Sequence, residues 1–189
     1  MVRLNKIYTR TGDSGSTGLA DGSRRSKCDP LFAAIGDVDE ANSAIGVAIL
    51  SVADPELRAL LTAVQNELFD LGADLATPGD DFAPSEMTLR IVQPQIDRLE
   101  AEIDSMNEGL EPLRSFILPG GGGGAPAIHL ARAVVRRAER SAIAASQSAP
   151  INPLALTYLN RLSDQLFVMA RLAASSEGGE VLWKPGATR

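Results

Sequence analysis

Five stretches of this chain carry apolar residues at steps of three and four, the spacing that places side chains on one face of an α-helix. We predict helices at about 32–53, 55–76, 91 or 94–106, 127–146 and 154–175. The connectors between them are rich in proline, glycine and aspartate. Successive amphipathic helices with modest connectors favour an all-α fold, a five-helix antiparallel bundle, over a doubly wound sheet.

Length and composition agree with a single domain. The chain has 189 residues, of which 44% are hydrophobic, and this is enough for one sizeable core. We divide the domain into an N-terminal loop segment (1–31), a bundle (32–175) and a C-terminal tail (176–189). The lone Cys28 excludes a disulfide framework, and one histidine gives no zinc-site spacing. Without an apolar span or signal sequence, we expect a cytoplasmic protein that has no membrane partner.

The segment 7–18 combines glycines, hydroxyl side chains and Arg10. Glycines let backbone N–H groups converge on an anion, and basic side chains neutralise its charge. Residues 1–27 hold six basic and two acidic side chains, a local charge of +4, whereas the whole chain carries −6 and the remainder therefore −10. This concentration suits a polyphosphate better than a nucleic acid, which needs a broad basic face. The alternative is a mobile N-terminal arm.

The fourth predicted helix gathers charged residues on one face. At 100° per residue, about a third of its circumference is shared by His129, Arg132, Arg136, Glu139 and Arg140. One carboxylate cannot offset three guanidinium groups, so an anion or a partner's carboxylates should lie against this face. The alternative is a solvated charged face. We interpret His129 as a hydrogen-bonded packing residue, with a general base as the second possibility.

Two other predicted helices carry polar stripes at the same spacing: Asp39, Asn42 and Gly46 on the first, and Asn160, Asp164 and Arg171 on the fifth. Taken singly, such groups are more often paired structural residues. Three polar stripes that face one another indicate a shared site. In that site Asp39 would pair with an arginine of the fourth helix.

Taken together, several motifs resemble those of the PduO-type ATP:cob(I)alamin adenosyltransferases. They occur in order along the chain, at 8–17, 36–43, 116–121, 129–140, 158–164 and 181–186. The resemblance implies a homotrimer of five-helix bundles, with ATP bound between the N-terminal loop of one subunit and the helices of its neighbour. It also implies the reaction, in which the 5′-deoxyadenosyl group of ATP is transferred to the cobalt of cob(I)alamin, giving adenosylcobalamin and triphosphate.

The resemblance also assigns roles to individual residues. Its phosphate-binding loop falls on Thr9, Arg10, Gly12, Asp13, Gly15, Thr17 and Lys27, with Mg²⁺ expected on the phosphates and no direct protein ligand assigned to it. Its other nucleotide contacts fall on Arg132, Arg136, Glu139 and Asn160. Its paired carboxylate and arginine are Asp39 and Arg132, and Phe116 is the aromatic that closes the lower face of the corrinoid. Asp39 and Phe116 would contact the corrinoid, and the catalytic group would be Asp39, Phe116, Arg132 and Arg136.

The chain departs from the family pattern after the Pro-Gly-Gly turn. Gly122, Gly123 and Gly124 replace the usual threonine or serine and longer residues, and we expect them to loosen the start of the fourth helix. A non-catalytic ATP or cobalamin carrier built on the same bundle is the alternative function. A flavin reductase and an adenosylcobalamin-dependent mutase are the candidate protein partners.

Overall fold

The computed structural model describes residues 7–189, so Arg3 and Lys6 of the predicted basic segment lie outside it. Its elements are β1 (Ser16–Gly18), β2 (Arg24–Ser26), α1 (Pro30–Ser51), α2 (Pro55–Leu75), α3 (Gln93–Glu108), α4 (Ala125–Ser146) and α5 (Pro153–Ser176). The five predicted helices are confirmed, each within about two residues at its ends. The antiparallel β1–β2 hairpin was not predicted.

Three helices begin with the same local device. Asp29, Asp54 and Asn152 each precede a proline and accept a hydrogen bond from the backbone N–H two residues later. The side-chain oxygen satisfies an amide that the first turn leaves free, and proline has no amide to satisfy at the first helical position. These caps explain why the starts of α1, α2 and α5 could be located from the sequence.

The helices form a bundle in which each is antiparallel to the next along the chain. α1 packs against α2 and α4, while α5 packs against α3 and α4. Glu100 and Glu102 of α3 bind Arg161 and Gln165 of α5 in the same order along both helices, so these two neighbours run parallel. No helix among residues 7–189 is long and apolar enough to span a bilayer.

A buried carboxylate joins three parts of the bundle. Asp74, at the end of α2, accepts hydrogen bonds from Arg90 Nη1 at 2.7 Å, the Ile91 amide at 2.8 Å and Asn152 Nδ2 at 2.7 Å. The Asp74 side chain is 1% exposed. Because Arg90 and Ile91 precede α3 and Asn152 caps α5, this carboxylate fixes the relative positions of three helix ends.

The glycine turn before α4 packs tightly against two helix ends. A Cβ atom on Gly122 would overlap the carbonyl oxygen of Glu177, and one on Gly123 would lie 2.6 Å from the carbonyl oxygen of Ala173. A Cβ on Gly124 would lie 2.5 Å from Val52 Cγ2. The expectation that these glycines loosen the start of α4 is therefore wrong, because they allow the backbones to pack closely.

We expect Gly122→Ala to destabilise the protein by about 1–3 kcal/mol, because the new methyl group must displace the end of α5. Gly120→Ala is the matched control, since a Cβ at Gly120 has no atom within 4 Å. Urea unfolding of both variants measures the difference. Equal free energies of unfolding for the two variants would contradict the packing described for this turn.

Candidate active site

A cleft of about 740 Å³ opens between α4, α5 and the segments that precede α4 and follow α5. Its lining includes three aromatic rings and three charged side chains: Phe116, Phe167, Trp183, Arg114, Arg132 and Asp164. Phe116 is 76% exposed, which is unusual for phenylalanine in a folded protein. A large cleft that combines exposed aromatic surface with a few charges is typical of a site for a bulky, partly apolar ligand.

Arg132 is the half-buried cation of this cleft. Its guanidinium carbon lies 5.7 Å from the centre of the Phe167 ring, a cation–π arrangement. Its Nε atom is buried without a hydrogen-bond partner, and its guanidinium group forms no ion pair with any residue from 7 to 189. Burial lowers the pKa of Arg132, and the neighbouring charge of Arg136 lowers it further. The carboxylate of Asp164 in the same cleft acts in the opposite direction but forms no ion pair with Arg132. A partly buried cation without an ion pair is suited to an anionic ligand or a partner's carboxylate.

The remaining predicted nucleotide residues lie on the same face. Glu139 of α4 accepts a hydrogen bond from Asn160 Nδ2 of α5 at 2.9 Å, and Asn160 Oδ1 accepts one from Arg161 at 2.8 Å. Arg136 is exposed and, within the described part of the chain, forms no ion pair. The structure thus brings together the polar stripes predicted on the fourth and fifth helices.

Asp39 lies outside this cleft. It lines a groove of about 490 Å³ between α1 and α2, together with Phe32 and Phe69. It is exposed, and its carboxylate has no hydrogen bond or ion pair among residues 7–189. The predicted contact between Asp39 and Arg132 is therefore not made within one chain.

Other residues make the contact between α1 and α4. Arg137 donates to Asp37 at 3.0 Å and also binds Glu40. Asp37 and Glu40 are three residues apart and share a helix face, whereas Asp39 is turned about 200° from Asp37 at 100° per residue. Arg137 is likewise turned away from Arg132. Within one chain, α1 and α4 are therefore joined by Arg137 with Asp37 and Glu40, and not by Asp39 with Arg132.

Two further members of the predicted stripes are structural. Asn42 donates from Nδ2 to the carbonyl oxygen of Gln65 at 3.0 Å, and Gln65 returns a hydrogen bond to the carbonyl oxygen of Asn42 at 3.1 Å. Arg171 is 6% exposed and binds Glu180. The polar stripe of α1 therefore serves the contact with α2 and does not reach the cleft.

The N-terminal loop is held together by its own hydrogen bonds. Arg24 Nη2 donates to the carbonyl oxygens of Thr11 at 2.7 Å and Ser16 at 3.0 Å, and the Lys27 amide donates to Gly15 at 2.9 Å. Arg10 adopts a left-handed backbone conformation at φ 61°. These contacts favour a hydrogen-bonded loop over a mobile N-terminal arm, and they leave the side chains of Arg10 and Lys27 exposed.

The loop is attached to the end of α2. The Ala20 amide donates to the carbonyl oxygen of Ala76 at 2.9 Å, and Leu19 is buried in the core. No hydrogen bond or ion pair joins residues 9–27 to α4 or α5. Within one chain, the predicted ATP-binding residues therefore form two sets that do not bond to each other, the loop set and the α4–α5 set.

Comparison with known proteins identifies the family. The family model described as cobalamin adenosyltransferase matches residues 7–173, which is most of the chain. This chain belongs to the cobalamin adenosyltransferase family. A relative named corrinoid adenosyltransferase from Mycobacterium tuberculosis is 51% identical over 191 aligned positions, which cover 100% of this chain and 97% of the relative. The corrinoid adenosyltransferase PduO of Salmonella typhimurium is 42% identical over 165 positions, 87% of this chain and 48% of that protein.

Solved structures of this family have the same fold. A variant of the PduO-type ATP:corrinoid adenosyltransferase from Lactobacillus reuteri, complexed with cobalamin and ATP, has a TM-score of 0.86 and 38% sequence identity. The match covers 95% of this chain and 99% of that one. A second variant of the same enzyme, complexed with ATP, has a TM-score of 0.85 and 36% identity, covering 94% of this chain and 100% of that one.

Several residues that line the cleft were not predicted as site residues, among them Arg114, Trp183 and Phe167. Phe167 stands beneath the Arg132 guanidinium and 6.1 Å, ring centre to ring centre, from His129. It follows Asn160 by seven residues and Asp164 by three, the spacing of a single helix face. Extending the predicted polar stripe of the fifth helix to its aromatic neighbour would have found it.

His129 is a packing residue, as predicted, but its Nδ1 atom has no partner among the described residues. It is 4% exposed, and burial lowers its pKa below the ordinary value of 6.5, with a smaller contribution from Arg132. The neutral ring is thus the form that the folded state favours.

Because the folded-state pKa of His129 lies below the unfolded one, its contribution to stability is complete above about pH 6.5 and is lost as pH falls through the folded-state pKa. We expect the free energy of unfolding to decline as pH falls below about 6.5, and His129→Leu to show a shallower decline. His129 is the sole histidine of the sequence, so no other imidazole interferes. The free energy of unfolding is measured by urea unfolding of both proteins at a series of pH values. The same dependence on pH in the two proteins would refute this assignment.

Proposed function

We propose that this chain catalyses the transfer of the 5′-deoxyadenosyl group from ATP to the cobalt(I) of a corrinoid. The cobalt electron pair forms the bond to the 5′ carbon, the bond from that carbon to oxygen breaks, and its electron pair leaves on triphosphate. Because cobalt is the nucleophile, the protein must position both substrates and stabilise the leaving charge. The observation that carries the proposal is the aromatic cleft beside Arg132, whose buried Nε atom has no hydrogen-bond partner.

The aromatic side of the cleft suits the corrinoid. Phe116, Phe167 and Trp183 offer apolar surface to a large flat ring, and charged residues at the cleft suit its polar periphery. We assign to Phe116 the exclusion of water and of the lower ligand from cobalt, which makes reduction to cobalt(I) easier.

The arginine face of α4 suits the nucleotide. Arg132 and Arg136 offer guanidinium groups that bind phosphate oxygens and neutralise the charge developing on triphosphate. Glu139 and Asn160, which already bind each other, supply the neighbouring polar contacts. We propose these four residues as the helical half of the ATP site.

The second half of the ATP site comes from another subunit in this proposal. Among residues 7–189, Asp39 and Arg132 each have no ion pair and line different cavities, and the loop set does not bond to α4 or α5. A homotrimer with head-to-tail contacts would place the Asp39 groove and the loop of one subunit against the cleft of the next. The loop set is Thr9, Arg10, Gly12, Asp13, Gly15, Thr17 and Lys27.

Magnesium fits this site as a companion of the phosphates. Residues 7–189 contain no group of three or more histidine, cysteine, aspartate or glutamate side chains that could hold a metal by themselves. Mg²⁺ bound to a nucleotide needs few protein ligands, because phosphates and water supply the others. Asp13, Thr9 and Thr17 offer oxygen atoms in the loop, and the ion would supply further positive charge at the phosphates.

The wider context belongs to the same proposal. Loop, bundle and tail act as one domain in the cytoplasm, where a flavin reductase supplies electrons to cobalt and an adenosylcobalamin-dependent mutase uses the product. The carrier alternative is not favoured, because a carrier would not need both an Arg132 without an ion pair and an exposed Phe116 at one cleft.

We expect Arg136→Ala and Lys27→Ala each to lower kcat/KM for ATP by about 10²–10³, because each removes a cation from the leaving triphosphate. The measurement is anaerobic conversion of chemically reduced cob(I)alamin to adenosylcobalamin, followed by absorbance. Arg58→Ala, which removes an exposed cation from α2, is the matched control and should keep full activity. Unchanged kinetics with ATP in the first two variants would rule out the proposed phosphate site.

Mixing two inactive variants tests the shared site. We expect Asp39→Ala and Arg132→Ala to be inactive separately and to regain activity when co-expressed, because a mixed ring contains one interface with both native residues. Random mixing in a trimer restores about a quarter of the sites. Co-expression of each variant with itself is the control. Mixed oligomers that stay inactive would place both residues in the same subunit's site or outside it.

A further inference from the structure

We propose that the segment 180–185 forms one wall of the corrinoid cleft. In this proposal Trp183 is the aromatic partner of Phe116 in that wall, and Arg171 positions the segment. The inference rests on the proposed function of the cleft. The segment follows the part of the chain that the family model matches. Trp183 and Pro185 nevertheless line the cleft beside Phe116.

The segment pairs with the strand-like stretch that carries Phe116. Ile117 and Leu182 form an antiparallel bridge, and the Leu118 amide donates to the carbonyl oxygen of Val181 at 2.8 Å. Side chains directly opposite each other in such a pair lie on the same face. The register of the bridge therefore sets Phe116 opposite residue 183.

Trp183 is fixed to the Phe116 stretch through both backbone and ring. Its amide donates to the carbonyl oxygen of Phe116 at 2.8 Å, and its own carbonyl accepts from Ser115 Oγ at 2.8 Å. The two ring centres are 6.0 Å apart at an interplanar angle of 60°. This tilted arrangement is a favourable one for aromatic pairs. The position of one ring therefore depends on the position of the other.

Burial does not hold this segment in place. Val181, Leu182 and Trp183 each remain about 45% exposed. A two-stranded pairing of a few residues is marginal in water when no other element supports it. An additional anchor is therefore required.

Arg171 of α5 supplies the anchor. Its Nε atom donates to Glu180 Oε1 at 2.6 Å, and its Nη2 atom donates to the carbonyl oxygen of Glu111 at 2.7 Å. Glu180 lies just before Trp183 and Glu111 just before the Phe116 stretch, so one guanidinium holds the approach to both strands. The side chain is 6% exposed and does not line the cleft, so Arg171 acts through its neighbours.

The end of α5 turns the chain back towards the cleft. The Gly179 amide donates to the carbonyl oxygen of Ala174 at 2.8 Å, and Gly178 and Gly179 have φ values of 96° and 87°. Two successive left-handed residues favour glycine at both positions. This reversal delivers Glu180 to Arg171 and then Trp183 to Phe116.

Two truncations of the full chain provide the first test. Removing 180–189 deletes the wall, while removing 186–189 is the matched control that keeps Trp183 and Pro185. We expect the longer truncation and Trp183→Ala to weaken binding of cob(II)alamin, measured with ATP present, by about tenfold or more. The cobalt(II) spectrum should shift towards a five-coordinate signature, as we also expect for Phe116→Ala, whereas ATP affinity and helical content stay unchanged. Trp183→Phe should retain most of the binding.

Substitutions of the anchor separate positioning from stability. We expect Arg171→Gln to raise KM for the corrinoid about tenfold, with KM for ATP unchanged and the cobalt(II) spectrum altered. Arg171→Lys should rescue part of this loss, and Glu180→Gln provides a milder variant if Arg171→Gln does not fold. A lower melting temperature with an unaltered cobalt(II) spectrum would make Arg171 a structural residue only and overturn its assignment.

The Phe116→Ala variant distinguishes failure of this inference from failure of the cleft assignment. If Phe116→Ala loses cobalt(II) binding while the longer truncation and Trp183→Ala bind as the full chain does, the cleft assignment stands and the wall is refuted. If all three variants bind cob(II)alamin normally, the corrinoid does not occupy this cleft and both assignments fall.

Discussion

The buried carboxylate of Asp74 sets the frame on which the α4–α5 cleft is built. It is shared by the Arg90 guanidinium, the Ile91 amide and the Asn152 side chain, so it joins the end of α2 to the starts of α3 and α5. Loss of either charge would leave its partner buried and unpaired, a cost of about 3–5 kcal/mol. Because Asn152 also caps α5, the same contact fixes where that helix begins. The start of α5 in turn determines which of its residues face α4.

The helices could be predicted because their signal is periodic and long. Each spans at least 16 residues, so apolar steps of three and four accumulate over several turns, and proline after a capping residue marks three starts. The hairpin escaped because its strands have three residues each, too few for an alternating pattern. The tight packing of Gly122 also escaped, since the atoms that exclude its side chain belong to the end of α5, over 50 positions away.

The candidate site was predictable as a set of residues and less so as a set of contacts. Periodicity placed Glu139 and Asn160 on facing stripes, and the structure joins them. It placed Asp37 and Asp39 on different sides of α1 but could not say which side meets an arginine of α4, because only the packing of the two helices decides that. Family motifs supply residue roles without saying whether two residues meet within one chain. That distinction needed the two cavities and their separate linings.

The glycine turn before α4 also constrains how this protein can change over evolutionary time. Gly122, Gly123 and Gly124 are each confined by a different neighbour, contributed by Glu177, Ala173 and Val52. A side chain at any of the three requires a compensating shift at the corresponding neighbour, so each glycine can vary only together with that neighbour. A homologue with threonine or serine in the turn must therefore end its first and fifth helices differently, and alignments should show covariation between the turn and those helix ends.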